Sequence, residues 1–366
     1  MNKFIYKIKR TRFLIKFAVS WRRPRYLLKA TKNVILHKLG LNKGFMLHSL
    51  CLAITYSCNY NCPFCFTQEM LKKRKQEPYL TVEDYKRIAK QAIKMGAISF
   101  GFQGGEIWLH KDFKEIIKAF KPKRHFITIT TNGTLVTEDR IKELVHLGVN
   151  KMLFSLESGI AEEHDKNINR SGGFEATMKA VNLALKNKRI QVGINITLSK
   201  LNLYSGGFKK LIEFCDKHGI LLNIIFGCAL GKWKEYRNLM LSSKDIEYYN
   251  KNIVPLSPYL NRHLNFNYNG RYGCPGAKEH FYINPWGDVL ACPFNHTFFG
   301  NLKKESLQDI HERATKLRWF DHIHPRCLVT EEKFFMDKYF EGLDKSENGY
   351  VHYSYWLENE KNSNKK

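Results

Sequence analysis

From about residue 50, apolar residues come in short runs separated by amphipathic stretches, the pattern of strands alternating with helices. Residues 52–55, 98–102, 126–130, 151–155, 190–198 and 221–226 read as six strands. Residues 81–95, 113–120, 137–148, 176–188 and 208–218 carry helical spacing between them. Thr81 with Asp84 three residues on, and Thr137, are N-cap signals, while Gly148 and Gly219 mark helix ends. Such strand–helix steps imply right-handed parallel crossovers, so the predicted class is α/β. Periodicity does not choose between a barrel-like closure and an open doubly wound sheet. A helix over 243–252 is broken by Pro255 and Pro258. The texture then changes. Residues 281–283 and 289–292 flank the turn Asn284-Pro285-Trp286-Gly287-Asp288 as a β-hairpin, and 307–319 is helical. The tail from residue 330 is mixed and aromatic, and residues 362–366 are expected to fray.

Composition alters little in this picture; charge alters more. The 366 residues are 43% hydrophobic and 26% charged, which is ordinary for globular proteins. No run approaches the ~18 apolar residues of a membrane-spanning helix. Nine cysteines are too sparse for a disulfide scaffold, and their clustering points to metal ligation in a reducing, cytoplasmic setting. Sixty Lys and Arg against 34 acids give a net charge of +26. Thirteen of the basic residues lie in residues 1–43, and the first acid is Glu69. The segment 1–48 is no convincing secretory signal, because residues 13–17 are too short an apolar stretch and no small-residue cleavage site follows. It reads as one or two basic amphipathic helices, with Leu27, Leu28, Val34, Ile35 and Leu39 at helical spacing. One reading is a solvated helix packed on the next domain. Another is peripheral attachment to the anionic inner membrane surface, where each Lys or Arg gains ~1 kcal/mol. Nucleic acid is the weakest reading, since no RNA-binding module is recognisable.

The strongest chemical signal is Cys58-Asn59-Tyr60-Asn61-Cys62-Pro63-Phe64-Cys65, directly after the first strand. A loop that turns through three thiols in eight residues can wrap one cluster. Structural zinc wants a fourth ligand, for which only Cys51 offers itself nearby, and inert buried thiols fit an Asn- and Pro-containing loop poorly. A [4Fe–4S] cluster on three cysteines leaves one iron open to chelation by an amine and a carboxylate. Gln103-Gly104-Gly105-Glu106 follows the second strand, where paired glycines allow close backbone approach and a carboxylate can accept from an ammonium. Thr130-Thr131-Asn132-Gly133 ends the third strand, Ser155-Leu156-Glu157 ends the fourth, and Asn195 lies on the fifth. A second group, Cys274, Cys292 and Cys327, brackets and follows the hairpin.

The triplet, with aromatic Phe64 before its third cysteine, resembles the radical S-adenosylmethionine (radical SAM) enzymes. The resemblance implies a partial (β/α)6 TIM-like barrel over residues 49–240, with a [4Fe–4S] cluster on Cys58, Cys62 and Cys65. It implies S-adenosylmethionine held by Phe64, Gly104, Gly105, Glu106, Thr131, Asn132, Ser155, Arg170 and Asn195. Two departures are Ile107, where the family usually has Pro, and Glu157, where relatives commonly carry Asp. The second cysteine group resembles the SPASM/Twitch extension, a small α+β domain expected over 241–330, followed by a tail at 331–366. The further C-x2-C-x5-C-x3-C run of a full SPASM domain is missing, so one auxiliary [4Fe–4S] cluster on Cys274, Cys292 and Cys327 is the better match. Its remaining iron is either open to substrate or closed by Cys228, His322 or His324. Inert thiols and zinc are the alternatives for this group, while Cys51 and Cys215 read as ordinary buried thiols.

The implied function is reductive cleavage of S-adenosylmethionine to a 5′-deoxyadenosyl radical that takes hydrogen from a small-molecule or lipid-like substrate. An electron donor such as flavodoxin or ferredoxin is the implied partner. A maturase acting on a peptide or protein side chain is the alternative, although only about 50 residues precede the barrel, too few for the peptide-recognition domain often fused to such enzymes. A non-catalytic iron–sulfur electron carrier leaves Gly104, Gly105, Glu106 and Arg170 unexplained. No catalytic acid or base stands out from spacing.

Overall fold

A computed structural model describes residues 46–262, 265–266 and 272–363, together with residues 6, 8–11, 28, 31–32, 35–36 and 39. The expected N-terminal helices and the fraying of residues 364–366 otherwise lie outside the described residues. The strands in chain order are β1 (Ser49–Ala53), β2 (Ser99–Gln103), β3 (Phe126–Thr131), β4 (Lys151–Ser155), β5 (Gln191–Leu198), β6 (Leu221–Phe226) and β7 (Leu260–Arg262). There follow β8 (Asn265–Phe266), β9 (Tyr272–Gly273), β10 (His280–Ile283), β11 (Asp288–Leu290), β12 (Thr297–Asn301) and β13 (Val351–His352). The chain is α/β and divides into two compact units, one of Met1–Leu27, Cys58–Phe66 and Ile127–His263, the other of Leu28–Ser57, Thr67–Phe126 and Leu264–Lys366.

In the first unit β3 to β7 pair in sequence order, all parallel. The helices Glu138–Leu147, Ala161–Ile168, Gly173–Lys186 and Gly206–His218 make the crossovers. Their ends follow local chemistry. Thr137 and Ser205 accept from the N–H of Arg140 and Phe208, and Gly148 (φ 97°) and Gly219 (φ 61°) take left-handed C-caps that a side chain would strain. Ala161–Ile168 was not foreseen from the sequence, because Ile160 at its start offers no capping side chain. Strand residues alternate. Ile194, Ile196 and Leu198 are buried, whereas Asn195 and Thr197 are half-buried. Register then sets Ser155, Asn195 and Asn223 in one row across β4, β5 and β6.

In the second unit β1 pairs in parallel with β2 on one side and with β10 on the other. β10 and β11 form the expected antiparallel hairpin, closed by Asn284, whose Oδ1 accepts from Trp286 N and Asp288 N at 3.0 Å each, and by Gly287 at φ 93°. β11 continues antiparallel to β12, and β12 pairs in parallel with β13. The helix expected over 307–319 stops at Thr315, and the mixed tail contains two further helices, Lys333–Asp344 and Tyr353–Ser363. Among the described residues no helix is long and apolar enough to cross a membrane.

The turn after β2 shows why two glycines are adjacent. Gly105 N donates to Thr55 O at 2.7 Å and Glu106 N to Ser57 O at 2.8 Å, so the chain beyond β2 stays laced to the chain beyond β1. A Cβ at Gly104 would stand 2.2 Å from Thr55 O, and one at Gly105 would stand 2.2 Å from Ser57 O. Backbone oxygens cannot step aside cheaply. Gly105→Ala is therefore expected to cost about 2–3 kcal/mol and to lower the melting temperature by about 5 °C, read by thermal denaturation of metal-free protein.

Candidate metal centres

The cysteine loop is held by its own asparagine. Asn59 Nδ2 donates to Thr134 Oγ1 at 2.8 Å, and its Oδ1 accepts from Asn132 Nδ2 at 2.8 Å. Its carbonyl accepts from Arg170 Nη1 at 3.2 Å, and that guanidinium lies 5.3 Å from the Tyr60 ring. Asn132 and Arg170 thus brace the loop from the end of β3 and from the turn after Ala161–Ile168. A third brace comes from beyond β6, where sequence spacing gives no sign of it. Gly231 (φ 55°) lies so close that a Cβ would stand 2.7 Å from Cys65 O. Lys232 Nζ donates to Asn61 Oδ1 at 3.3 Å, and Trp233 meets Phe64 edge-on at 5.8 Å.

Cys58, Cys62 and Cys65 form no disulfide and are half-buried. Burial first, then Cys65, Glu157 and Cys58, push the Cys62 thiol well above the ordinary range. Tyr60 N at 3.4 Å and Asn132 Nδ2 at 3.9 Å both donate to Cys58 Sγ, an arrangement suited to a thiolate. Among the described residues no three Cys, His, Asp or Glu side chains are placed to hold one metal ion. A single zinc needs all its ligands in one shell of about 2.0–2.3 Å, whereas a four-iron cluster takes each thiolate on a different iron. Three thiols in one loop, one of them already accepting two N–H groups, are a donor set that suits a cluster.

The other expected contacts fall in several places. Glu106, fully buried in the second unit, accepts from Trp108 N at 3.5 Å. Ser155 and Asn195 share the row already described, and Asn223 Nδ2 donates to Asn195 Oδ1 at 3.0 Å. Asn223 is a site candidate that only register reveals. Thr131 Oγ1 accepts from Gly133 N at 3.1 Å and stands opposite Phe154 in register, whereas Thr130 stands opposite half-exposed Leu153.

Beside Phe64 is a cavity of about 380 Å³ lined by Phe64, Glu157, Thr197, Asn202 and Trp233 among others. Glu157 accepts from Thr197 N at 2.7 Å and its own N–H donates to His164 Nδ1 at 3.0 Å. Burial raises its carboxyl to about 8. Folded protein then holds a proton that unfolded protein has lost, so stability should fall as pH rises from about 4.5 to about 8, by up to about 1.4 kcal/mol per pH unit. Glu157→Gln should flatten that slope in metal-free protein, as read by urea denaturation at several pH values.

The second cysteine group lies wholly in the second unit. Cys274 N donates to His324 O at 2.8 Å, Asn295 N to Cys292 Sγ at 3.2 Å, and Cys327 N to Glu331 Oε2 at 2.9 Å. Burial, then Cys274 and Cys327, drive the Cys292 thiol far up, and burial with Cys274 pushes Cys327 to about 12. Of the fourth-ligand candidates, His324 bridges Cys274 through its backbone while its Nε2 pairs with Trp319 O at 3.1 Å, and the His322 ring lies 4.0 Å from it. Cys228 belongs to the first unit. Cys51 sits in β1 opposite Gly101 and Tyr282 with its thiol raised to about 12 by burial, and Cys215 is buried on Gly206–His218.

Comparison with known proteins joins the two centres to known families. The radical SAM superfamily matches residues 52–202, and an iron–sulfur cluster-binding domain, SPASM, matches residues 274–330. A probable GTP 3′,8-cyclase of Methanocaldococcus jannaschii is 26% identical over 311 residues, covering 81% of this chain and 98% of that protein. A probable GTP 3′,8-cyclase of Thermococcus kodakarensis is 32% identical over 177 residues, 48% of this chain and 56% of that protein. Streptococcus suis SuiB, solved with its precursor peptide SuiA, has the same fold at a TM-score of 0.58 and 18% identity, covering 80% of this chain and 70% of that chain. The structure of anSMEcpe with bound AdoMet gives 0.56 and 17%, covering 86% and 94%. The fold is thus the partial TIM-like barrel with a cluster-binding extension, and the cofactors are a [4Fe–4S] cluster, S-adenosylmethionine and auxiliary iron–sulfur. The chain belongs to the radical SAM superfamily and carries a C-terminal SPASM domain.

Proposed function

We propose that this enzyme uses a 5′-deoxyadenosyl radical to abstract hydrogen from a small-molecule substrate, assisted by one auxiliary [4Fe–4S] cluster. The observation that carries the reading is the thrice-braced loop of Cys58, Cys62 and Cys65, which would hold the first cluster. Cys274, Cys292 and Cys327 would hold the second. When bound, the first cluster supplies the electron, drawn from a donor such as flavodoxin or ferredoxin, that splits the sulfonium of S-adenosylmethionine.

The chain's own residues supply position. Asn59, Asn132 and Arg170 fix the loop against the end of β3, and Phe64, next to the third cysteine, packs edge-on against Trp233. Gly104 and Gly105 let the backbone beyond β1 lie against the turn that leads to Glu106, whose carboxylate would accept from an ammonium. Glu157 keeps its proton at neutral pH and can donate a hydrogen bond into the cavity it lines. A substrate of small size is favoured by the match along almost the whole of a relative named for acting on GTP.

The test is anaerobic reconstitution with a chemical reductant. 5′-Deoxyadenosine should appear, and metabolites from deuterium-grown cells should pass deuterium into it. Deuterium arriving only from a protein fraction would favour the peptide-maturase reading instead. Deuterium arriving only from a lipid extract would narrow the substrate to a lipid-like molecule.

A further inference from the structure

Lys278 has no exposed surface, an expensive place for a cation with three N–H donors. Its Nζ donates to Gly276 O at 3.2 Å and lies 5.4 Å from the Phe320 ring centre. The other face of the same glycine meets a sulfur, for a Cβ at Gly276 would stand 3.6 Å from Cys274 Sγ. Ammonium and thiol thus share one residue between them. Burial disfavours the ammonium, and of the groups that favour it Cys274 acts most strongly, ahead of Asp321, Glu279 and Cys292. Two members of the second cysteine group therefore belong to the surroundings of this charge.

A [4Fe–4S] core held by three or more thiolates is a net anion and gains a further negative charge on reduction. We propose that Lys278 is a positioning residue, the buried counter-ion of the auxiliary cluster, which stabilises the cluster's reduced form and so raises its potential. This rests on the reading that Cys274, Cys292 and Cys327 hold a cluster. In a low-dielectric interior a fixed positive charge at this range acts with little screening. The N–H of Asn295, directed at Cys292 Sγ, works in the same sense.

The experiment is potentiometry of the reconstituted enzyme followed by electron paramagnetic resonance, comparing wild type, Lys278→Met and Lys278→Arg. The auxiliary signal is the one that S-adenosylmethionine leaves unchanged. In Lys278→Met its reduced-to-oxidised ratio at a fixed potential should fall about tenfold, which is 59 mV for a one-electron couple. Lys278→Arg should stay near wild type, and the other cluster should not move. No shift in Lys278→Met, an equal shift in Lys278→Arg, or a common shift of both clusters overturns the proposal. Metal-free protein gives a second reading, because removing an ammonium that burial disfavours should raise its melting temperature. A Lys278→Met protein that fails to fold even without metal also overturns it. Iron of about four rather than about eight atoms per chain in wild type would sink the underlying cluster reading, and not this charge effect alone.

Discussion

Cys62→Ala should reduce 5′-deoxyadenosine formation by more than about a hundredfold, to the level of a protein-free control. Loss of a residue behind a metal ligand commonly costs 10–100-fold, and Cys62 is proposed as a ligand itself. Burial, together with Cys65 and Cys58 on either side of it in the loop, raises its thiol. Iron released from the loop should account for about four atoms per chain, measured alongside the cleavage assay. The fold should survive, since the loop is braced through Asn59, Asn61 and Cys65 backbone rather than through the Cys62 side chain. Equal cleavage by wild type and variant would refute the radical assignment at its root.

Cys292→Ala should separate the two centres. About four of about eight irons should be lost while S-adenosylmethionine is still cleaved in the absence of substrate. Turnover of the true substrate, read as deuterium passing into 5′-deoxyadenosine and as product, should drop to background. Cys292 is half-buried and its sulfur already accepts from the Asn295 N–H, so its loss removes a thiol that the backbone positions. If both reactions fell together, the second centre would be structural, and if neither fell it would hold no cluster.

Most strands were legible because each is a short apolar run with a polar boundary, and Thr81, Thr137 and Gly148 named helix ends through chemistry local to the chain. The second partner of β1 was not. A parallel pairing between Leu50 and Phe281 leaves no trace at either position alone. The tail hid its helices for a related reason. Phe335 stacks on Trp356 at 4.4 Å and Trp319 packs on both, so the aromatics serve a shared core and not one clean helical stripe. At the candidate site the cysteines were visible from spacing, whereas Asn223, Gly231 and Trp233 gain meaning only through register and close approach.

The seat of β10 beside β1 also bears on how the chain is made. The neighbour of β1 at Phe281 is translated some 230 residues after β1 itself. Until then β1 offers one unsatisfied row of amide and carbonyl groups, an open edge that invites pairing with another nascent chain. A message truncated before residue 280 should therefore yield aggregate rather than a free-standing barrel, and helper proteins on the ribosome would have a definite strand to shield.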